Sequence, residues 1–441
     1  MRYIPNSAAD RARMLEDIGA GSIEDLFSGI PGGLRLQGEL ALPPSMSEPD
    51  LVRFLENAAA RNRAREHAFL GAGVYPHYVP AIIDALVSRS EFSTAYTPYQ
   101  AEIAQGTLQA IFEFQTCMTQ LTGLEAANAS LYDGSTALAE AVLMAHRITR
   151  RTRFLMARTV HPEYRAVVAT YTRRLGFQIE LIDFDPNAAM DVGTLEDRIS
   201  SDVAAVVVQS PNFLGTVEET CALSEIAHRH GALSVVCVAE ALSLGLLAPP
   251  AGADIVVGEA QSLGIPMNFG GPHLGFLATR QDHVRQIPGR LVGMGRDRDG
   301  RRAFVLTLAT REQHIRRERA TSNICTNQSL CALMATIYLA ALGPAGLREV
   351  AVRNLQKTHY LIDRIRAETE TEILFPGPRF NEVVIRPAPE PAKRLQEMRE
   401  RGIARGLDLG GFFPELGGAL LVAVTEVCPR DAIDRFVGEL R

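Results

Sequence analysis

Val203-Ala204-Ala205-Val206-Val207-Val208 is an unbroken apolar run with no polar residue on either face. A strand with one wet face would alternate, so this run reads as a strand buried on both sides, as in a parallel sheet. Similar runs recur outward from it, at Arg153–Ala157, Ile179–Asp183, Ala204–Gln209, Leu233–Ala239 and Asp254–Gly258. Helical spacing fills the intervals at Pro162–Leu175, Thr194–Ile199 and Cys221–His230. Strands and helices alternating from about 125 to 280 make an α/β fold.

Beyond Thr321 the pattern changes. It predicts a long helix from Asn327 to Leu342, stopped by Gly343-Pro344, and a second from Ala345 to Thr369. Strand Glu382–Ile385, helix Pro391–Arg401, strand Ala419–Val424 and helix Arg430–Arg441 follow, which reads as a compact α+β unit. The beginning differs again. A helix near Ser7–Ile18 gives way to Ile30-Pro31-Gly32-Gly33 and Leu42-Pro43-Pro44, and a second helix opens at Ser47-Glu48-Pro49 with Ser47 as N-cap. The expected organisation is an N-terminal arm (1–65), a large α/β domain (66–325) and a small α+β domain (326–441).

The 441 residues are 46% hydrophobic and 22% charged, ordinary values for a globular chain of more than one domain. A net charge of −6 gives no reason to expect nucleic acid or an anionic membrane as partner. No run approaches the ~20 apolar residues of a membrane span. Met1-Arg2-Tyr3-Ile4-Pro5 lacks an apolar signal core, so export is not expected. The six Cys (117, 221, 237, 325, 331 and 428) show no metal spacing and read as small core residues of a cytoplasmic protein. Lysine is nearly missing: 43 of 45 basic residues are Arg, and only Lys357 and Lys393 remain.

Several short segments could carry chemistry. Tyr132-Asp133-Gly134-Ser135-Thr136 leads into a helix with Leu138, Ala141, Val142, Ala145 and Ile148 on its apolar face. Such a turn is an ordinary N-cap, or a phosphate seat whose free amides and dipole favour an anion. Thr94-Ala95-Tyr96-Thr97-Pro98-Tyr99-Gln100 puts two phenols on a proline-fixed loop, either packed with wet tips or lining a polar pocket. Arg316-Arg317-Glu318-Arg319-Ala320-Thr321-Ser322-Asn323 is a basic turn, read equally well as a solvated run or an anion contact. His228 and His230 are two apart on a helix end and do not face one way, so no metal is expected there.

In order, these segments resemble the pyridoxal-phosphate (PLP) enzymes of the aspartate-aminotransferase type, fold type I. That fold implies a large domain built on a mostly parallel, seven-stranded sheet and a small α+β domain. The resemblance assigns His161, in Val160-His161-Pro162-Glu163-Tyr164-Arg165, to stacking on the pyridine ring. It assigns Glu240, in Val238-Ala239-Glu240-Ala241, to the place of an Asp paired with the pyridine nitrogen. At the Schiff-base lysine, in Gly258-Glu259-Ala260-Gln261-Ser262-Leu263-Gly264, the residue is Gln261. An amide nitrogen is not nucleophilic and forms no imine. An Arg-rich composition thins out Lys generally, but neither Arg nor Gln replaces this one chemically. Gly134, Ser135, His161, Glu240 and Gln261 are therefore expected to form a vestigial cofactor pocket.

Longer runs narrow the family. Phe69-Leu70-Gly71-Ala72-Gly73, Ser90-Glu91-Phe92-Ser93, Gln105-Gly106-Thr107-Leu108-Gln109-Ala110, Phe269-Gly270-Gly271-Pro272-His273, Thr310-Arg311-Glu312-Gln313-His314-Ile315-Arg316-Arg317-Glu318 and Ala320-Thr321-Ser322-Asn323-Ile324-Cys325-Thr326-Asn327-Gln328 belong to the set. With them the chain resembles, nearly end to end, the glycine cleavage system P proteins in their split form, and within these the alpha chain, subunit 1. The resemblance implies a lysine-less half of a pseudo-symmetric dimer, with PLP carried by the beta chain. The complex would decarboxylate glycine and pass the aminomethyl group to lipoylated H protein. It further implies that this chain completes the partner's pocket, with Tyr96, Thr97 and Tyr99 near substrate and Arg319 and Thr321 near the cofactor phosphate. Glu240-Ala241 departs from the usual Asp-Pro, Arg319 from a common Lys, and Pro76 from a frequent Asp. Two other readings stay open: a non-catalytic regulatory or scaffold partner, and a homodimer using PLP without a lysine. Gln261 argues against the second of these.

Overall fold

A computed structural model describes residues 5–36, 38–62, 68–93, 96–268, 270–324, 326–388 and 406–441. The chain divides into two compact units, Met1–Ala64 and Arg65–Arg441. In the first, Ser7 and Asp10 form a capping box on α1 (Ala8–Asp17), and Ser47 caps α2 (Glu48–Ala59) by accepting from the Asp50 N–H. Neither helix has a buried residue. Helices this short are marginal without packing, and each cap adds only about 0.5–2 kcal/mol.

The second unit opens with α3 (Ala81–Val87), α4 (Gln105–Thr122), β1 (Ala126–Ala127) and α5 (Gly134–Thr149). Strand and helix then alternate through β2 (Arg153–Ala157), α6 (Pro162–Thr172), β3 (Gln178–Ile182), α7 (Val192–Arg198), β4 (Val203–Gln209), α8 (Thr220–Arg229), β5 (Leu233–Val238), β6 (Ile255–Glu259) and β7 (Gly275–Thr279). They form one seven-stranded sheet in the order β1-β7-β6-β5-β4-β2-β3, parallel except for β7, which runs against both neighbours. Every residue of β4, β6 and β7 is buried, as two-faced apolar runs require. Each such Val contributes about 1.5–3 kcal/mol by leaving water.

β8 (Leu291–Arg296) and β9 (Arg302–Thr307) form a separate antiparallel hairpin, and α9 (Gln313–Arg316) is a single turn. α10 (Ser329–Glu368) follows. It begins at Ser329, two residues after the expected Asn327, whose side chain donates to Ala129 O and Ser130 Oγ. As expected, Gly343-Pro344 breaks this span into two helices that meet at a kink: Gly343 takes φ 62° and ψ −179°, which few other residues tolerate, and Pro344 offers no N–H. By length and composition alone this span is apolar enough to cross a membrane, a test that a buried core helix also passes. Its first half buries Cys331, Ala332, Met334, Ala335 and Tyr338 in the main core.

The C-terminal part forms a second antiparallel sheet of β10 (Glu372–Ile373), β11 (Glu382–Arg386), β12 (Leu407–Asp408) and β13 (Leu420–Ala423), ordered β10-β11-β13-β12. It packs with the second half of α10 and with α11 (Arg430–Leu440) around Phe69, Leu361, Ile365, Val383, Val422 and Phe436. The expected helix Pro391–Arg401 and Cys325 lie outside the described residues. Cys221 is exposed, against its reading as a core residue.

Candidate functional site

Gly134, Ser135, His161, Glu240 and Gln261 gather at one edge of the large sheet. His161 caps α6 beyond β2, Glu240 follows β5, Gln261 follows β6, and Gly134 opens α5 beside Glu259. This is the carboxyl edge of the parallel strands, where α/β sheets hold ligands. Here the polar groups of these residues bond to one another and to their neighbours. The Gly134 N–H donates to Glu259 Oε2 at 3.0 Å, and Glu259 Oε1 accepts from Gln261 N (3.0 Å) and Leu274 N (2.8 Å). Ser135 Oγ donates to Asp133, whose carboxylate also accepts the Thr136 N–H at 2.8 Å. The buried Gln261 side chain donates to Ile265 O. His161 Nε2 donates to Ala72 O (2.9 Å), and the ring stacks on the Tyr164 phenol at 4.9 Å and 26°. Burial pushes the His161 pKa down.

Glu240 is engaged as well. Its Oε1 accepts from Leu242 N, and its Oε2 lies 3.0 Å from His77 Nε2. His77 Nδ1 reaches Glu426 Oε2, just past β13, at 2.8 Å, and Asn354 of α10 donates to that same oxygen. Burial works against a charged His77, but Glu240 and then Glu426 outweigh it and raise its pKa to about 10. An imidazolium thus bridges two buried carboxylates and ties the large sheet to the small one. Nearby, Glu382 accepts from Ala72 N and from Tyr75 Oη (2.9 Å), and burial pushes its pKa up to about 7.

Pyridoxal phosphate needs a lysine, an anion seat, a free ring slot and a carboxylate for its nitrogen. At the positions expected for these, the chain has the Gln261 amide, the Glu259 carboxylate bonded to the Gly134 N–H, a His161 ring already stacked on Tyr164, and a Glu240 already paired with His77. A second anion beside Glu259 would meet repulsion, not a cradle. The residues present do not fit the cofactor.

The second group of predicted residues lies elsewhere. Tyr96 is 82% exposed and Tyr99 57%, with Thr97 half-buried and Pro98 buried between them. Tyr96 lines a cavity of about 370 Å³ with Phe92, Thr107, Asn327, Gln328 and Ser329. Tyr99 Oη accepts from Arg290 Nη2 at 3.3 Å, the guanidinium lies 5.6 Å from the ring centroid, and the His314 ring meets Tyr99 edge-on at 5.7 Å. The segment 312–327, which carries Arg319 and Thr321, therefore adjoins the Tyr99 loop. Arg319 is exposed and lies 3.9 Å from Glu318. The Thr321 N–H donates to Arg311 O at 2.9 Å. No metal-binding cluster occurs among the described residues.

Sequence reasoning missed Glu259, Tyr164, His77 and Arg290. Glu259 and Tyr164 sit inside motifs already singled out, two residues before Gln261 and three after His161, and a charge ending a buried strand was the available signal. Arg290, a cation between Ile287 and Leu291, gave the same kind of sign.

The comparisons agree with this geometry. The family profile described as Glycine cleavage system P-protein matches residues 1–440. A protein of Moorella thermoacetica named "Probable glycine dehydrogenase (decarboxylating) subunit 1" is 50% identical over 443 residues, covering 100% of this chain and 99% of its own. A protein of the same name from Geobacillus kaustophilus is also 50% identical, covering 100% and 98%. The crystal structure of an inhibitor-bound glycine decarboxylase (P-protein) superposes with a TM-score of 0.90 at 44% identity, over 100% of this chain and 99% of that one. A Burkholderia pseudomallei sphingosine-1-phosphate lyase (TM-score 0.65, 16% identity, 93% and 94% covered) shares the fold alone. The fold is that of the type I PLP-dependent transferases, and the chain belongs to the glycine cleavage system P-protein family.

Proposed function

We propose that this chain is subunit 1, the alpha chain, of a split glycine dehydrogenase (decarboxylating). On this reading it is inactive alone and works with a beta subunit in the cytoplasm. P proteins depend on pyridoxal phosphate, which supplies an electron sink for the loss of CO2 from glycine; here the beta subunit carries it, and lipoylated H protein receives the aminomethyl group. The observation that carries the reading is the full-length likeness to proteins named subunit 1, in a chain whose cofactor lysine is the buried amide of Gln261.

The role left to this chain is to build one wall of the partner's pocket. Tyr96, Thr97 and Tyr99 offer hydroxyls on a loop fixed by buried Pro98, and Arg319 and Thr321 offer a cation and a hydroxyl on the adjoining segment. Exposure of the phenols on this chain by itself supports that assignment, since an unpaired wall is open to water. The arm (1–65), large domain (66–325) and small domain (326–441) are the working division of the chain. The test is to purify the chain alone and with its beta subunit, then record PLP absorbance and glycine–bicarbonate CO2 exchange. A colourless, inert chain and a yellow, active pair support the reading; a yellow, active single chain overturns it.

A further inference from the structure

Arg290 belongs to neither predicted group, yet it sits where the phenol loop and the segment 312–327 meet. Its side chain is 5% exposed. One terminal nitrogen donates to Thr326 Oγ1 (3.2 Å) and Asn327 Oδ1 (3.3 Å), and the other to Tyr99 Oη (3.3 Å). Its Nε lies 3.7 Å from the Glu312 carboxylate, which is also 3.7 Å from His314 Nδ1. Asn327 in turn donates to Ala129 O and Ser130 Oγ on the body of the large domain. One planar cation therefore touches the Tyr99 loop, the start of the 312–327 segment and its end. Lys has a single point of charge and cannot span three such directions at once.

We infer that Arg290 is a positioning residue for the partner's active site, holding Tyr99 and the 312–327 segment as one preorganised wall. The inference rests on the proposed function, because only there does the wall meet substrate. Its logic is that buried Pro98 fixes the loop backbone but not the exposed Tyr99 side chain, whereas a group that must meet substrate needs a fixed place before the partner arrives. The Arg290 guanidinium, lying against the Tyr99 ring and bonded to its hydroxyl, fixes both the direction and the rotation of that phenol.

The experiment is a double-mutant cycle in the assembled alpha–beta complex with Arg290→Lys, Tyr99→Phe and both, measuring kcat and KM for glycine in the exchange assay. Arg290→Lys is expected to lower kcat/KM by about ten-fold or more, the scale of losing a hydrogen bond to a charged group, with a raised KM for glycine. The double variant is expected to stay within about two-fold of the weaker single variant, since both remove one linked unit. Loss of folded enzyme alone would lower kcat at unchanged KM. An Arg290→Lys complex within about two-fold of wild type, an unchanged KM, or losses that multiply in the double variant would overturn the inference while leaving the subunit reading intact. If Arg290→Lys fails to assemble, Glu312→Gln takes its place in the cycle, with the same expected coupling and the same overturning results. A wild-type complex that is itself inert would sink the function and the inference together.

Discussion

Replacing His77 by Gln tests the buried carboxylate–imidazolium–carboxylate bridge. The ring is nearly inaccessible, with Glu240 3.0 Å from one nitrogen and Glu426 2.8 Å from the other. Gln keeps some hydrogen bonding and removes the charge, leaving two buried carboxylates without their cation. A rise from 6.5 to about 10 corresponds to about 5 kcal/mol in favour of the charged form. Removing one partner of a buried pair typically costs about 3–5 kcal/mol. The pH dependence gives the sharper signature. Because the folded pKa is raised, the stabilisation is complete below pH 6.5 and is lost as pH climbs toward 10. Urea titration at pH 6 should therefore show His77→Gln less stable by about 3–5 kcal/mol, and near pH 10 the difference should shrink below about 1 kcal/mol. The first transition should be the release of the small sheet, since Glu426 is its contact in the bridge. A loss under about 1 kcal/mol at pH 6, or an equal loss at both pH values, would refute the bridge as a charged clamp.

Glu382 should behave in the opposite sense to an ordinary carboxylate. Its raised folded pKa favours the neutral acid, so its contribution is present below pH 4.5 and lost as pH rises through about 7. Glu382→Gln is accordingly expected to add about 1–3 kcal/mol at pH 8 and nothing near pH 4.5, checked by denaturant melts; a destabilised variant at pH 8 would contradict it. Gln261→Lys in the isolated chain should gain no imine, because Glu259 and Tyr164 keep their contacts with Gly134 and His161. Incubation with PLP and borohydride followed by mass measurement should find no label on residue 261, and a stoichiometric label would show the seat to be open.

The α/β body was legible because burial on both faces writes an apolar run. β4 is the case in point: Val203–Gln209 admits no wet position. The hairpin of β8 and β9 was not legible. Its turn is held by Asp297, which accepts from the Asp299 and Arg301 N–H groups, so Arg296-Asp297-Arg298-Asp299-Gly300-Arg301-Arg302 reads as plain surface charge. β7 was missed because nothing in a short apolar run tells direction, and its reversal is set by its neighbours. At the site, types of residue were readable and pairings were not. Gln261 declared a missing imine by itself, whereas the partners that these residues meet come from strands and loops far apart in the chain.

Glu240 shows what that limitation hides. From the sequence it looked like a defect, one methylene too long for the carboxylate that pairs with a pyridine nitrogen. In the folded chain it pairs with an imidazolium, His77, at 3.0 Å, and that ring passes the contact on to Glu426. A buried carboxylate facing an empty cofactor seat would carry a large desolvation penalty with nothing to offset it. Supplying the cation from the protein removes that penalty, and supplying it from the loop before α3 also couples the large sheet to the small one. The same reasoning covers Glu259, which accepts the Gly134 N–H at 3.0 Å, and Tyr164, which stacks on His161: these groups are paired within the chain, so a Gln261→Lys substitution alone leaves those three contacts unchanged.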